Sequence, residues 1–314
     1  MKKRVLVFAF HDRHNFIDIH VIKYLEKIRN SFGKIIFVSD QPLKKKELQK
    51  IKFVDEYIHK NHDERDFGSW KLGIDRIVIN NFDELFLTND SIIGPLISIE
   101  KILYRMDQKQ IDFWGISSAG KDHLFHLQSY FLCFKKKCFD SKVFKDFFTN
   151  IKKLESKGEL VQKYEIGLTQ LLINSGFRCS QFIKHNDKDI FSSTKSYKLY
   201  KNKDLPFIKV KVLVSNPVRL PNVNQLLQYI DYKKEIISYV KRVNENNDLS
   251  HLFFKLPLFN VYIFSKKFIL LRAKITHSQR WWRFYIKVFG VYVFFLILPL
   301  KKKEALLYNT YNKQ

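Results

Sequence analysis

The chain has 314 residues, 46% of them hydrophobic, which is enough for one large α/β domain with a smaller appendage. Lys and Arg number 56 against 31 Asp and Glu, a formal net charge of +25, so the partners are anionic: nucleic acid, nucleotide phosphates or an acidic membrane surface. Three cysteines, Cys133, Cys138 and Cys179, lack any C-x-x-C spacing and argue against both a disulfide framework and a zinc site, as expected of a reducing cytoplasm.

In chain order, Val5 to Phe10 reads as a first strand, too short for a signal peptide, with His11 to Asn15 as its polar exit. The spacing of Ile19, Ile22, Leu25 and Ile28 predicts an amphipathic helix over Ile17 to Ile28. Lys34 to Val38 is a second strand ending in Ser39-Asp40. Leu43 to Ile51 is a lysine-rich helix and Phe53 to Ile58 a third strand. Alternating strands and helices predict a parallel sheet with crossover helices. A charged loop, His59 to Asp66, runs into a helix expected from about Ser69 to Asn80, and a helix start of this kind suits phosphate.

Leu85-Phe86-Leu87 is a short apolar run that reads as a buried central strand, and it stops in Asn89-Asp90-Ser91, three residues that favour turns. In an open α/β sheet, ligands bind just beyond the carboxyl ends of the strands, so a substrate should lie here. Helical spacing follows over Leu96 to Met106. Strands are expected over Asp112 to Ile116 and Leu127 to Phe134, then helices over Lys142 to Lys153 and Ile166 to Ile173, and a last strand over Arg178 to Ile183. The α/β signal then fades. Asn216-Pro217 and Leu220-Pro221-Asn222 mark a boundary, giving domains 1–215 and 216–314.

The tail repeats itself, Leu258 to Phe264 returning as Val288 to Phe294, with Lys255, Lys266, Lys267, Lys287 and Lys301 to Lys303 close by and Arg280, Trp281, Trp282 and Arg283 between. Aromatics flanked by cations suit attachment to an anionic membrane surface. A small β-rich cap is the plainer alternative. A spanning anchor ranks last, because the uncharged run from Val288 to Leu300 falls short of the ~20 residues a membrane helix needs.

Four polar clusters sit at expected strand ends or helix starts, in the order a nucleotide-sugar transferase requires. Asp90 is the candidate carboxylate for a divalent metal (Mg²⁺ or Mn²⁺) or for the donor diphosphate, against the plainer reading of a helix cap. Glu165, at an expected helix start, is the candidate general base, unless it only complements the helix dipole. Arg65 and Asp66 are candidates for nucleotide and phosphate, or else a surface ion pair. His185 is a second candidate metal ligand, or a solvated His. Trp70 and Trp114 could stack on base or sugar, though Trp more often fills a core.

These segments carry a resemblance. Arg65-Asp66-Phe67-Gly68-x-Trp70-Lys71, Leu87-Thr88-Asn89-Asp90-Ser91-x-x-Gly94-Pro95, Asp112-Phe113-Trp114-Gly115, His126-Leu127-Gln128-Ser129-Tyr130-Phe131 and Tyr164-Glu165-x-Gly167-Leu168-Thr169 are similar, in that order, to the motif series of the rhamnan-synthesis protein F family of bacterial glycosyltransferases. The match runs from about Val5 to His185. It implies an α/β fold of the GT-A-like, Rossmann-like kind: a mostly parallel sheet flanked by helices, here with a C-terminal basic, aromatic, membrane-associating extension. It also implies a nucleotide-sugar donor such as dTDP-L-rhamnose and transfer with inversion. Arg65, Asp66, Gly68, Trp70, Lys71, Asn89 and Ser91 would then bind the donor, and Trp114, Gln128, Ser129 and Tyr130 would line the sugar or acceptor pocket.

Family members often carry Asn-x-Gly ahead of the Asp-Phe-Gly segment, where this chain has His62-Asp63-Glu64; glycine there would let the backbone approach a ligand closely. The expected protein is a peripheral enzyme at the cytoplasmic face of the membrane, adding a deoxyhexose to a lipid-linked glycan in surface-polysaccharide synthesis, with no nucleic-acid partner. Two alternatives come from other classes. A basic nucleic-acid-binding protein fits the charge but shows no recognition motif. A non-catalytic scaffold of a polysaccharide-assembly complex fits the fold.

Overall fold

The computed structural model describes residues 2–185, 190–192, 195–217, 219–244, 249 and 252, together with the backbone of four C-terminal strands between 261 and 299. The chain divides into two units, residues 1–210 with 228–239, and residues 211–227 with 240–314.

Among the described residues the first unit has eleven short strands: β1 Arg4–Phe10, β2 Lys34–Ser39, β3 Glu56–His59, β4 Glu84–Asn89, β5 Ile92–Ile93, β6 Phe113–Gly115, β7 Ser118–Ala119, β8 His126–Leu127, β9 Phe131–Lys135, β10 Cys179–Gln181 and β11 Ile208–Lys209. Seven of them form one sheet in the order β10-β6-β9-β4-β1-β2-β3. β1 runs parallel to β2 and β4, β2 to β3, and β6 to β10, whereas β9 lies antiparallel between β4 and β6. The expected mostly parallel sheet is therefore present. Its central strands read as unbroken apolar runs because helices cover both faces: every residue of Val5 to Phe10 and of Leu85 to Leu87 is buried.

The helix Ile19–Ile28 buries Val21, Tyr24, Leu25 and Ile28, the i, i+3, i+4, i+7 set of one face. The next expected helix is shorter than Leu43 to Ile51, with α-helix only over Lys45–Leu48 and a 3₁₀ turn to Ile51. The helix expected from Ser69 to Asn80 spans Arg65–Ile74 instead. Its first residue, Arg65, enters at φ 55, a left-handed conformation that costs a non-glycine residue energy. The helix then lies flush on β1, since a Cβ built on Gly73 would drive into Val7 Cγ1. Val7 is fully buried and has nowhere to go. We expect Gly73→Ala to destabilise the protein by about 1–3 kcal/mol despite alanine's better helix propensity, read as a lower midpoint in denaturant unfolding.

The strand expected over Leu127 to Phe134 breaks in two. β8 pairs with β7, residues 128–130 turn the chain, and β9 then enters the main sheet beside β4. This break sets Ser129 and Tyr130 next to the end of β4. The helix expected to reach Lys153 stops at Thr149. Helix runs from Lys157–Leu160 through a π-helical turn, Val161–Ile166, into Gly167–Asn174, so the helical segment starts well before Ile166.

In the second unit, Asn216, Arg219 and Asn222 all take positive φ, as the turn-forming composition there suggests. Asn216 closes its turn with bonds to Leu220, donating to its carbonyl at 2.8 Å and accepting from its N–H at 2.7 Å. The strands β12 Val261–Ser265, β13 Phe268–Ser278, β14 Trp281–Val288 and β15 Val291–Pro299 form an antiparallel meander in sequence order. Both copies of the repeated Val-Tyr pair open a strand, at Val261 and Val291; residues 258–260, 289–290 and the flanking lysines other than Lys287 lie outside the described residues. No helix among the described residues is long and apolar enough to cross a membrane.

Candidate active site

The carboxyl ends of β1, β2 and β4 meet at one edge of the sheet, and the polar residues that follow each strand hold one another. The backbone N–H of His11, after β1, donates to Asp90 Oδ2 at 2.9 Å. The His11 imidazole donates through Nδ1 to Asp40, after β2, at 2.8 Å. That hydrogen bond holds the His11 imidazole above its ordinary pKa range against the opposing effect of burial. From the first helix, His20 Nε2 donates to the Asp90 carbonyl oxygen at 3.1 Å. Asp90 is thus fixed from two sides, and its carboxylate receives a bond across the site rather than capping a helix.

Asp66, in the first turn of the helix Arg65–Ile74, accepts from Asn89 Nδ2 at 2.8 Å. Asn89 Oδ1 in turn accepts from Ser91 Oγ at 2.6 Å. The helix is tied to β4 by Trp70, whose indole N–H donates to the Thr88 carbonyl at 2.9 Å. The Thr88 hydroxyl is shared with Tyr24 at 2.9 Å and donates to the Tyr130 carbonyl, also at 2.9 Å. Through that knot, β4 carries Ser129 into place, and the Ser129 hydroxyl donates to Glu165 Oε1 at 2.9 Å.

Asp66 is the common neighbour of the two acids singled out in the sequence. Burial pushes its carboxyl up first, and the charge of Glu165 pushes further. Burial and then the charge of Asp66 push Asp90 up to about 8, against the His11 N–H bond that favours its ionised form. Three carboxylates from residues distant in sequence, Asp66, Asp90 and Glu165, therefore share one electrostatic neighbourhood.

Between an unfolded pKa near ~3.9 and a folded value of about 8, the folded state binds more protons at Asp90 than the unfolded chain does. Stability must fall as pH rises through that window and level off above it. Between pH 5.5 and 8 the loss is at most on the order of 3 kcal/mol, an upper figure because the side chain keeps part of its surface in water. Asp90→Asn should flatten this slope and raise the melting temperature at pH 8, checked by thermal unfolding of both proteins at the two pH values.

Glu165 does not sit at a helix N-terminus. It lies inside the continuous helical segment, on the π-helical turn, a local widening common at functional sites, so the dipole role expected of a first-turn Glu does not apply. His126 faces it, Nε2 lying 3.9 Å from Glu165 Oε2. The His126 Nδ1 bonds the Leu124 carbonyl oxygen at 2.8 Å. A carbonyl only accepts, so Nδ1 carries a proton and Nε2 is the nitrogen turned toward Glu165.

Several sequence expectations resolve differently. Trp70 and Trp114 are 0% and 1% exposed. Trp114 packs edge-on to Phe86 and tilted against Phe131, so both indoles fill the core and neither stacks on a ligand. Gly68 is required by packing: a Cβ there would come within 2.7 Å of both Glu64 Cβ and His62 Nδ1. Lys71 Nζ donates to the Thr149 carbonyl at 2.7 Å, linking two helices. Arg65 is exposed at the mouth of its helix. Glu64 has φ -84, so the glycine-like conformation of this loop falls on Arg65 and the substitution of Glu at position 64 is not itself strained.

Tyr130 is core, its hydroxyl bonded to Ser117 Oγ at 2.6 Å, although its ring face is covered by the Lys209 ammonium at 3.9 Å. Gln128 accepts from Ser117 Oγ at 2.5 Å. His185 lies just past β10, with both ring nitrogens enclosed and lacking a hydrogen-bond partner among the described residues. Among the described residues no set of three or more His, Cys, Asp or Glu side chains gathers to hold a metal, so Asp90 and His185 do not build a metal shell with a third such ligand. A divalent cation beside Asp90 would offset the charge of Asp66, which adds to burial in raising the Asp90 carboxyl. Sequence reasoning passed over Asp40 and Lys209. Asp40 was signalled by its place at a strand end, whereas Lys209 carries no local signal, its two-residue strand being made by pairing with β5.

Residues 35–289 match the family described as rhamnan synthesis protein F. The chain belongs to that family. The rhamnan synthesis protein F match takes in Asp66, Asp90, Glu165 and Lys209 and begins after His11. No curated protein matches the sequence. Among solved structures, the glycosyltransferase GlyE of Streptococcus pneumoniae TIGR4 is 14% identical, over 83% of this chain and 67% of that one, with a TM-score of 0.44. Core-mannan synthase A of Aspergillus fumigatus, in its Mn/GDP form, is 10% identical over 57% of this chain and 72% of that one, at a TM-score of 0.38. HddC of Yersinia pseudotuberculosis is 16% identical over 45% of this chain and 80% of that one, at 0.32. Likeness of this degree carries no assignment, which rests on the family match.

Proposed function

We propose that this member of the rhamnan synthesis protein F family is an inverting, GT-A-like glycosyltransferase that moves a deoxyhexose, L-rhamnose from dTDP-L-rhamnose, onto a lipid-linked glycan at the cytoplasmic face of the membrane, for bacterial surface polysaccharide. The observation that carries the reading is the convergence of Asp66, Asp90 and Glu165 at the carboxyl edge of a mostly parallel sheet, in a chain of this family. Glu165, held by Ser129, takes the acceptor hydroxyl proton as the oxygen attacks the sugar C1. The bond from C1 to the diphosphate oxygen breaks with its electron pair leaving on the diphosphate. Attack from the opposite face inverts C1.

A divalent cation, which Asp90 with Asp66 beside it would hold, would supply charge neutralisation for the leaving group. The basic tail would keep the enzyme beside an anionic membrane carrying its acceptor.

A thermal-shift screen over nucleotide sugars, with and without Mn²⁺, tests the reading, because a ligand that binds only the folded protein raises its melting temperature. dTDP-L-rhamnose should raise it most. A larger rise with another sugar would replace rhamnose, and no shift with any nucleotide sugar would favour the non-catalytic scaffold.

A further inference from the structure

Lys209 has no role in the motif series, yet the fold brings it to the acids. Its strand, β11, is fastened antiparallel to β5, with Lys209 opposite Ile92 and Ile208 opposite Ile93, immediately after Asp90-Ser91. Val210 N–H donates to the Ser91 carbonyl at 2.9 Å and Leu96 N–H to the Pro206 carbonyl at 2.7 Å, closing the ribbon at both ends. Gly94, at φ 146, admits this closeness, for a Cβ there would come within 2.7 Å of the Pro206 oxygen. Phe207 is fully buried against the rings of Tyr24, Tyr130 and Phe131. The backbone beneath Lys209 is therefore fixed.

The side chain reaches back over the ribbon. Its ammonium lies 3.9 Å above the Tyr130 ring and 3.4 Å from Ser91 Oγ, two residues from Asn89 and next to Asp90. Its charge is felt at the Asp66 carboxyl, where it opposes the effect of burial. A nucleoside diphosphate entering this edge meets the acids Asp66, Asp90 and Glu165, which offer it no positive charge. His11, the other cation felt at Asp66, has its imidazole engaged by Asp40. Lysine, a compact charge on a flexible stem, is suited to following a phosphate as it departs.

We propose that Lys209 binds the diphosphate of the nucleotide-sugar donor and stabilises it as the leaving group, an inference that rests on the glycosyltransferase reading above. The site then carries its own cation for the departing oxygen, supplied by the strand that follows the last segment of the sheet.

The test is calorimetric titration of the full chain with dTDP, UDP and GDP, each with its nucleoside monophosphate as control. For whichever diphosphate the wild type binds, Lys209→Met should weaken affinity by about 10-fold to 100-fold, the usual worth of a hydrogen bond between charged groups. Lys209→Arg should recover most of it, and the monophosphate should lose less than the diphosphate. Recovery by Arg separates the charge from any change in folding, which thermal unfolding of each variant reports. Equal diphosphate affinity in wild type and Lys209→Met would overturn the inference and leave the proposed function standing. A loss of the same size with monophosphate would also overturn it. If the wild type binds none of the three diphosphates, the glycosyltransferase reading fails and takes this inference with it.

Discussion

Glu165→Gln should lower kcat by about 10³-fold while donor affinity stays within about two-fold of the wild type, since positioned general bases contribute roughly 10²–10⁴-fold. Gln keeps the shape and the oxygen that accepts from the Ser129 hydroxyl, so the side chain stays where it is. It loses the basic lone pairs that would take the acceptor proton. The neighbouring His126, with Nε2 3.9 Å from Glu165, could take over part of the task, which sets the floor of the residual rate. Steady-state kinetics with donor binding measured separately decides the matter. Turnover within ten-fold of the wild type would remove Glu165 from the role, and a parallel loss of donor affinity would make it a binding residue.

The largest effect on stability is expected at Trp70. Trp70→Ala should cost about 3–5 kcal/mol for the packing, because the indole is fully buried with Phe67 set edge-on at 4.9 Å. Losing the bond to the Thr88 carbonyl adds about 1 kcal/mol. At ~2–4 °C per kcal/mol for a domain of this size, the melting temperature should drop on the order of 10 °C. Trp70→Phe separates packing from attachment. It keeps most of the ring but releases the helix that carries Asp66 from the strand that carries Asn89. We expect a smaller loss of stability than in Trp70→Ala, with a larger fall in activity than that loss explains. Unchanged activity in a folded Trp70→Phe protein would show that the tie does not position Asp66.

The acids at positions 66, 90 and 165, which the fold brings into one neighbourhood, each follow a local pattern in the sequence: a strand end, a turn or a motif. The tryptophans beside them were misassigned for a related reason. A Trp inside a functional motif looks the same in sequence whether it stacks on a ligand or, like Trp70, bolts the motif to its strand. Lys209 shows the opposite failure. Its strand is two residues long and is made by pairing with β5, more than a hundred positions earlier, so no local periodicity marks it.

The sequence alone determined the alternation of buried strands and amphipathic helices, since apolar spacing dictates which face each element hides. It also determined the family, through motifs kept in order. Only the tertiary structure decided that β9 enters antiparallel and sets Ser129 against Glu165, that Asp66 stands between Asp90 and Glu165, and that Lys209 faces them. These depend on which strand ends lie side by side. Adjacency of that kind is settled by long-range pairing and by burial, which no stretch of neighbouring residues encodes.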